Sequence, residues 1–126
     1  MGAPTVPPLN EQWHDGGFIV SEANGHQSRD QVTLTGGVLV LAGTVLGKVT
    51  ASGSLAPLNP AGSDGSQTAA AILYGTRDAT QGDRQATVID RNAEVNASEL
   101  IWPSGATPAQ ITTATQQLLA VGIILR

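Results

Sequence analysis

The chain has 126 residues and a mass of 12.8 kDa, the size of one domain around one core, and a multi-domain enzyme is excluded. Charged residues make up 13% of it, about half the share usual in soluble domains, so its surface is largely neutral. A net charge of -4, with Arg29, Lys48, Arg77, Arg84, Arg91 and Arg126 far apart, excludes the clustered cations that nucleic-acid binding needs, and the lack of cysteine excludes disulfides, thiolate nucleophiles and Cys-based metal sites.

Residues 1–15 carry Pro4, Pro7 and Pro8, which remove backbone donors and disfavour helix in the preceding positions, so they read as an extended arm. A β-prone burst, Phe18-Ile19-Val20, follows, and then a polar run over 21–30 that offers little to bury. The burst and its flanks, residues 1–30, are expected to stand apart as an arm, with the packed body over 31–126. From Gln31 the pattern alternates, Val32 and Leu34 on one face and Thr33 and Thr35 on the other, as a half-buried strand requires.

Further strands are predicted over 38–41, 44–50, 69–74 and 86–90, separated by turn clusters such as Asn59-Pro60 and Ser63-Asp64-Gly65. One helix is predicted over 108–119, because Thr107, Pro108 and Gln110 form a capping box with proline at the first helical position. Ile111, Ala114, Leu118 and Leu119 share one of its faces, which should lie on the sheet. Residues 120–125 read as a closing strand. The fold class is therefore mainly β, a compact body with one C-terminal helix and an extended N-terminal arm. The longest uncharged apolar stretch, 36–47, falls short of the ~20 residues a membrane span needs. The start of the chain also lacks the basic-then-apolar order of a secretion signal.

Little in the sequence carries chemistry. Residues 43–49 (GTVLGKV) have one residue too few between the glycines for a phosphate loop, and Val49 stands where Ser or Thr would hold magnesium. Asp78, Asp83, Asp90, Glu94 and Glu99 would serve as an acid and base only if the fold gathered them, and their spacing does not; Asp78 and Asp83 read as turn carboxylates. His14 and His26 are isolated, Asp64-Gly65-Ser66 is a turn without the later ligands of a calcium loop, and no cofactor is expected. Trp102, in Leu100-Ile101-Trp102-Pro103, is expected to pack the helix onto the sheet. Trp13 and Phe18 sit ahead of any convincing core strand, and aromatics in an arm need somewhere to go: back onto their own domain, or onto a partner. An extended arm with a β-prone burst suits strand addition to an exposed sheet edge.

The middle of the chain resembles the lambda-type bacteriophage head decoration proteins. The resemblance runs through residues 42–53 (AGTVLGKVTASG), 64–73 (DGSQTAAAIL), Asp78-Ala79-Thr80 with Gly82-Asp83, Ala93-Glu94-Val95-Asn96 and Leu100-Ile101-Trp102-Pro103. It covers roughly 36–126, and the order and spacing of the pieces make it specific. It implies a β-clip-like body, a homotrimer, no catalysis, and a place on the outer capsid of the virion at local threefold axes, after synthesis in the bacterial host cytoplasm. It also implies that the arm pairs with strands of the major capsid protein, and no nucleic acid or membrane is expected as a partner. Val6, Leu9, Trp13, Phe18, Ile19 and Val20 are the candidate capsid-binding residues. Two rivals remain open: a virion spike or receptor-binding module using the loop 57–66, and a small trimeric β enzyme.

Overall fold

The computed structural model describes residues 15–23 and 27–126. Its elements, in chain order, are β1 (Ile19–Glu22), β2 (Arg29–Leu34), β3 (Leu39–Val40), β4 (Val45–Lys48), β5 (Leu55–Pro57), β6 (Ala69–Leu73), β7 (Arg77–Asp78), β8 (Arg84–Ile89), β9 (Ala93–Val95), a 3-10 turn (Ala97–Glu99), α1 (Pro108–Ala120) and β10 (Ile123–Leu125). The fold is mainly β with one C-terminal helix, as the pattern predicts. Strands β2, β5, β4, β6 and β8 close into a barrel; β1, β9 and β10 form a separate sheet with β9 in the middle; β3 and β7 pair as a short ribbon.

The barrel is closed by the longest pairing, β2 antiparallel to β8 from Arg29 opposite Ile89 to Leu34 opposite Arg84. The alternation read from Gln31 onward appears here as expected: Leu34 points into the barrel, while Gln31 and Thr33 face outward, Gln31 donating its side-chain amide to the Thr87 hydroxyl and Thr33 accepting from the Gln85 amide of β8. Cross-strand pairs of this kind stabilise the outer face of a sheet without apolar burial.

Two packed clusters share β6 and β8. Ala71, Leu73, Ala86 and Val88 point inward with Leu34, Val40, Leu46, Leu55 and Ala79. Ala69, Ile72 and Ile89 point outward and meet Phe18, Val45, Leu58, Val95, Leu100, Ala114, Leu118 and Ile123. Strand β6 is thus covered on both faces, which is why Ala69–Leu73 is a continuous apolar run without alternation, whereas β8 keeps Gln85 and Thr87 on its outer face and gains apolar cover there only at Ile89.

Helix α1 starts as its sequence dictates. Thr107 accepts from the Gln110 backbone, Gln110 returns the bond to the Thr107 backbone, and Pro108 occupies the first helical position. Gln117 turns toward the barrel and accepts from the Ala69 backbone N–H at 2.8 Å, satisfying a donor at the start of β6. The helix buries Ala114 and Leu118, but Leu119, predicted on the same face, is 58% exposed. Adjacent helical positions lie about 100° apart, so Leu118 takes the core and rotates Leu119 out of it. The closing strand is shorter than 120–125, because Ala120 still belongs to α1 and the chain turns at Gly122 before Ile123.

One glycine fixes the path of β4. A Cβ on Gly47 would overlap the backbone of Ser66, whose loop folds across β4 and joins it through Thr50 N–H to the Asp64 carbonyl. The glycine in GTVLGKV thus serves a close approach of backbones rather than a phosphate. Gly47→Ala should lower stability by about 1–3 kcal/mol, the usual cost of an overpacked site, seen as an earlier thermal melt with the same folded baseline.

Candidate functional site

The carboxylates singled out in the sequence are dispersed. Asp78 accepts from the backbone and hydroxyl of Thr80, and Asp64 from those of Ser66; these bonds hold both below the usual carboxylate range. Asp83 accepts from the Gly36 N–H at 2.7 Å, Glu94 pairs with Arg126, and Glu99 sits in the 3-10 turn. These are turn and surface roles. His14 and His26 lie outside the described residues.

One carboxylate pair does form, through a partner the sequence did not disclose. Pairing of β2 with β8 brings Asp30 beside Asp90, and Arg91 binds both while its other nitrogen donates to the Gln27 carbonyl. Asp90 is pushed up to about 6, first by burial and then by Asp30, and its buried Oδ1 lacks a hydrogen-bond partner among the described residues, facing Arg91 only as an ion pair at 3.4 Å. Asp30 is held low, chiefly by the hydrogen bond from Asp90. Arg91 is the counter-charge that bridges the two carboxyls, an arrangement that ties β2 to the end of β8.

The geometry of the arm's root is better defined. The Gly16 N–H donates to the Tyr74 carbonyl at 2.9 Å, and Gly16 takes φ +66, where a Cβ would stand 2.5 Å from the Tyr74 ring. Asp15 lies against Gly75 so closely that a Cβ there would meet its carboxylate. The Arg29 guanidinium sits 4.3 Å from the centre of the Tyr74 ring and pairs with Glu22 of β1 at 2.6 Å, a contact that keeps Arg29 firmly cationic. Glu22 also accepts from Ser28. The chain is therefore clamped where it enters the body, on a ring, a cation and a carboxylate from three different strands and loops.

The six candidate arm residues separate at this clamp. Val6, Leu9 and Trp13 lie outside the described residues. Phe18 is 1% exposed inside the outer cluster, so the structure commits it to the body's own core. Ile19 packs half-buried against the same cluster, opposite Val95 of β9. Only Val20 faces outward, at a register shift between Ile19 and Ser21, and it is 56% exposed. The packed body thus reaches back to Phe18, ahead of the Gln31 boundary read from the sequence, because an aromatic and a short strand found cover on β9.

Other large apolar side chains are exposed among the described residues. Val38 and Leu39 stand exposed beside a groove of about 290 Å³ lined also by Pro57, Ile101, Trp102 and Pro103. Trp102 is only half-buried; it touches the cluster that holds α1 but forms the groove wall as well, so its packing role is partial. Leu119, Val121 and Ile124 are also exposed, at the end of α1 and on β10. The loop 57–66 is held by Asn59 N–H to the Ser66 carbonyl and by the Asp64 turn.

Residues 8–123 match the family model described as bacteriophage lambda head decoration protein D. A comparison with curated proteins gives no match.

Phe18→Ala should cost about 3–5 kcal/mol, as for a fully buried aromatic, whereas Val20→Ala should leave the thermal melt nearly unchanged. The Asp30–Asp90 pair sets a pH dependence. Asp90 holds its proton more tightly folded than unfolded, so its contribution to stability is present below its ordinary value of 3.8 and is lost as pH rises through about 6. Asp90→Asn keeps a donor toward Asp30 without the charge; it should stabilise the protein by about 1 kcal/mol at pH 8, with solvent screening included, and by less at pH 4, read from melts at the two pH values.

Proposed function

The chain belongs to the bacteriophage lambda head decoration protein D family, and from that premise we propose that it is a structural capsid protein that cements the expanded phage head. The match over residues 8–123 carries this reading. The family is structural, so the reading contains no catalysis and no cofactor. In it the protein is made in the host cytoplasm and sits as a homotrimer on the outer capsid surface, over local threefold sites. Its N-terminal segment adds a strand to the major capsid protein.

The chemistry of the chain supports this. A body with few charges can be covered by neighbours without desolvating many ions. The 14 residues ahead of Asp15 can reach at most about 50 Å if fully extended. Val6, Leu9 and Trp13 are the anchors of this segment, with Val20 at its base, and Phe18 and Ile19 hold that base to the body. A pull on the segment is received by Gly16, Tyr74, Arg29 and Glu22 and passed into the barrel through β2 and β6. Three such segments on one trimer act together: once one is bound, the others face a high effective concentration, and avidity gains on the order of 10² to 10⁴ follow. Capsomers that internal pressure would separate are then held by several modest contacts that must all fail at once.

Co-sedimentation with expanded, undecorated capsids tests the reading, comparing the full chain with a version that starts at Asp15. The cut leaves Phe18 and β1 in place, so the shortened protein should melt at the same temperature. Saturable binding of the full chain alone is the expected result. Equal binding of both would move the interface to the body and sink the arm model, and no binding by either would overturn the capsid reading.

A further inference from the structure

We infer that the Asp30–Asp90 pair is a pH-operated catch on the point where the N-terminal segment leaves the body: with a proton on Asp90 the root at Gly16 is held, and without it the root loosens. The inference stands on the chain's own contacts and does not depend on the decoration reading.

A continuous line of contacts joins the pair to that root. The Asp90 backbone N–H donates to the Ser28 carbonyl at 3.0 Å, and Arg91 donates to the Gln27 carbonyl at 2.7 Å, so the end of β8 holds the two residues that lead into β2. Ser28 is fully buried and gives its hydroxyl to Glu22 of β1. Glu22 pairs with Arg29, whose guanidinium lies over the Tyr74 ring, and the Tyr74 carbonyl accepts from the Gly16 N–H. Ser28 is the narrow point. Buried, with its carbonyl and hydroxyl both engaged, it has no slack, so a shift at Asp90 is passed to Glu22 rather than absorbed.

The pair itself has two arrangements. Asp90 lines a pocket of about 210 Å³ whose other walls are Val32, Lys48, Gly53, Leu55, Ala70 and Ala71. Among the described residues the charged groups around it are Asp30 from β2, Arg91 next to it in the chain and Lys48 from β4. The apolar walls solvate a charge poorly. Protonated, Asp90 donates to Asp30, and Arg91 balances the one remaining carboxylate. Ionised, it loses that bond, meets a second carboxylate with one close guanidinium for two charges, and keeps Oδ1 buried without a hydrogen bond. The pocket gives the side chain room to turn from Asp30 toward Lys48, and that turn draws on the Asp90 backbone and so on Ser28. Because burial and Asp30 raise Asp90 to about 6, the change falls between mildly acidic and neutral solution.

Solution NMR tests the catch. Exchange of the Gly16 amide, divided by its intrinsic rate, reads the root, and the Asp90 carboxyl carbon shift reads the proton. The held arrangement is present at low pH and is lost as pH rises through about 6, so Gly16 protection should fall between pH 5 and pH 7.5 with the same midpoint as the Asp90 carboxyl. A rise from 3.8 to about 6 limits the fall to the order of 100-fold, and solvent screening leaves about 10-fold. Asp90→Asn should keep the root held across this range. Ser28→Ala should leave the Asp90 titration in place and flatten the response at Gly16; Ser28→Cys, closer in shape, replaces it if its melt is lowered. Constant Gly16 protection in the wild type overturns the inference. The same fall in Asp90→Asn overturns it too, by assigning the response to another group such as His14, and so does a full response in both Ser28 variants.

Discussion

Strands β6 and β8 each contribute side chains to both packed clusters, and the other elements take their places from that condition. Side chains on one face fill the barrel and those on the other support α1 and the outer sheet, so neither layer exists without the same two strands. With aromatics at 3% of the chain, the interior is filled by Ala, Val, Leu and Ile. The small residues are not incidental. Ala71 and Ala86 leave room inside a barrel of only five strands, and Ala69 lets Gln117 of the helix reach the backbone of β6. A larger residue at any of them would force side chains off their preferred rotamers on both layers at once.

What was legible in the sequence follows the range of the signal. The helix was readable because Thr107, Pro108 and Gln110 act within one turn, and β2, β6 and β8 because alternation or an unbroken apolar run is written locally. Strands β5, β7 and β9 were not, since each has only two or three residues and exists through pairing with distant segments. Leu119 shows the limit of periodicity: two adjacent leucines both fit a broad apolar face, and only the angle at which the helix meets the barrel decides which is buried.

The same division holds for the site. The local turn roles of Asp64, Asp78 and Asp83 could be read from their neighbours, but the meeting of Asp30 with Asp90 depends on a strand register that joins residues sixty positions apart. Phe18 was readable as an aromatic needing a place, and the sequence left two places open; the core took it, because β1 lies on β9. The exposed positions of Val38, Leu39, Leu119 and Ile124 are likewise not written in the local pattern, and they become visible only once burial is known.

The order of strands in the outer sheet sets when the molecule can fold. Strand β1 pairs with β9, more than seventy residues later, and β2 waits almost as long for β8. At ribosomal speeds of about 5–20 residues per second, β1 stays without its partner for several seconds after it is made. Nascent chains of this protein therefore carry an unmatched hydrophobic Phe18 and an open strand through most of their synthesis. A cell that makes many copies at once, as an assembling virus requires, meets its greatest hazard of aggregation in these unfinished chains rather than in the finished body.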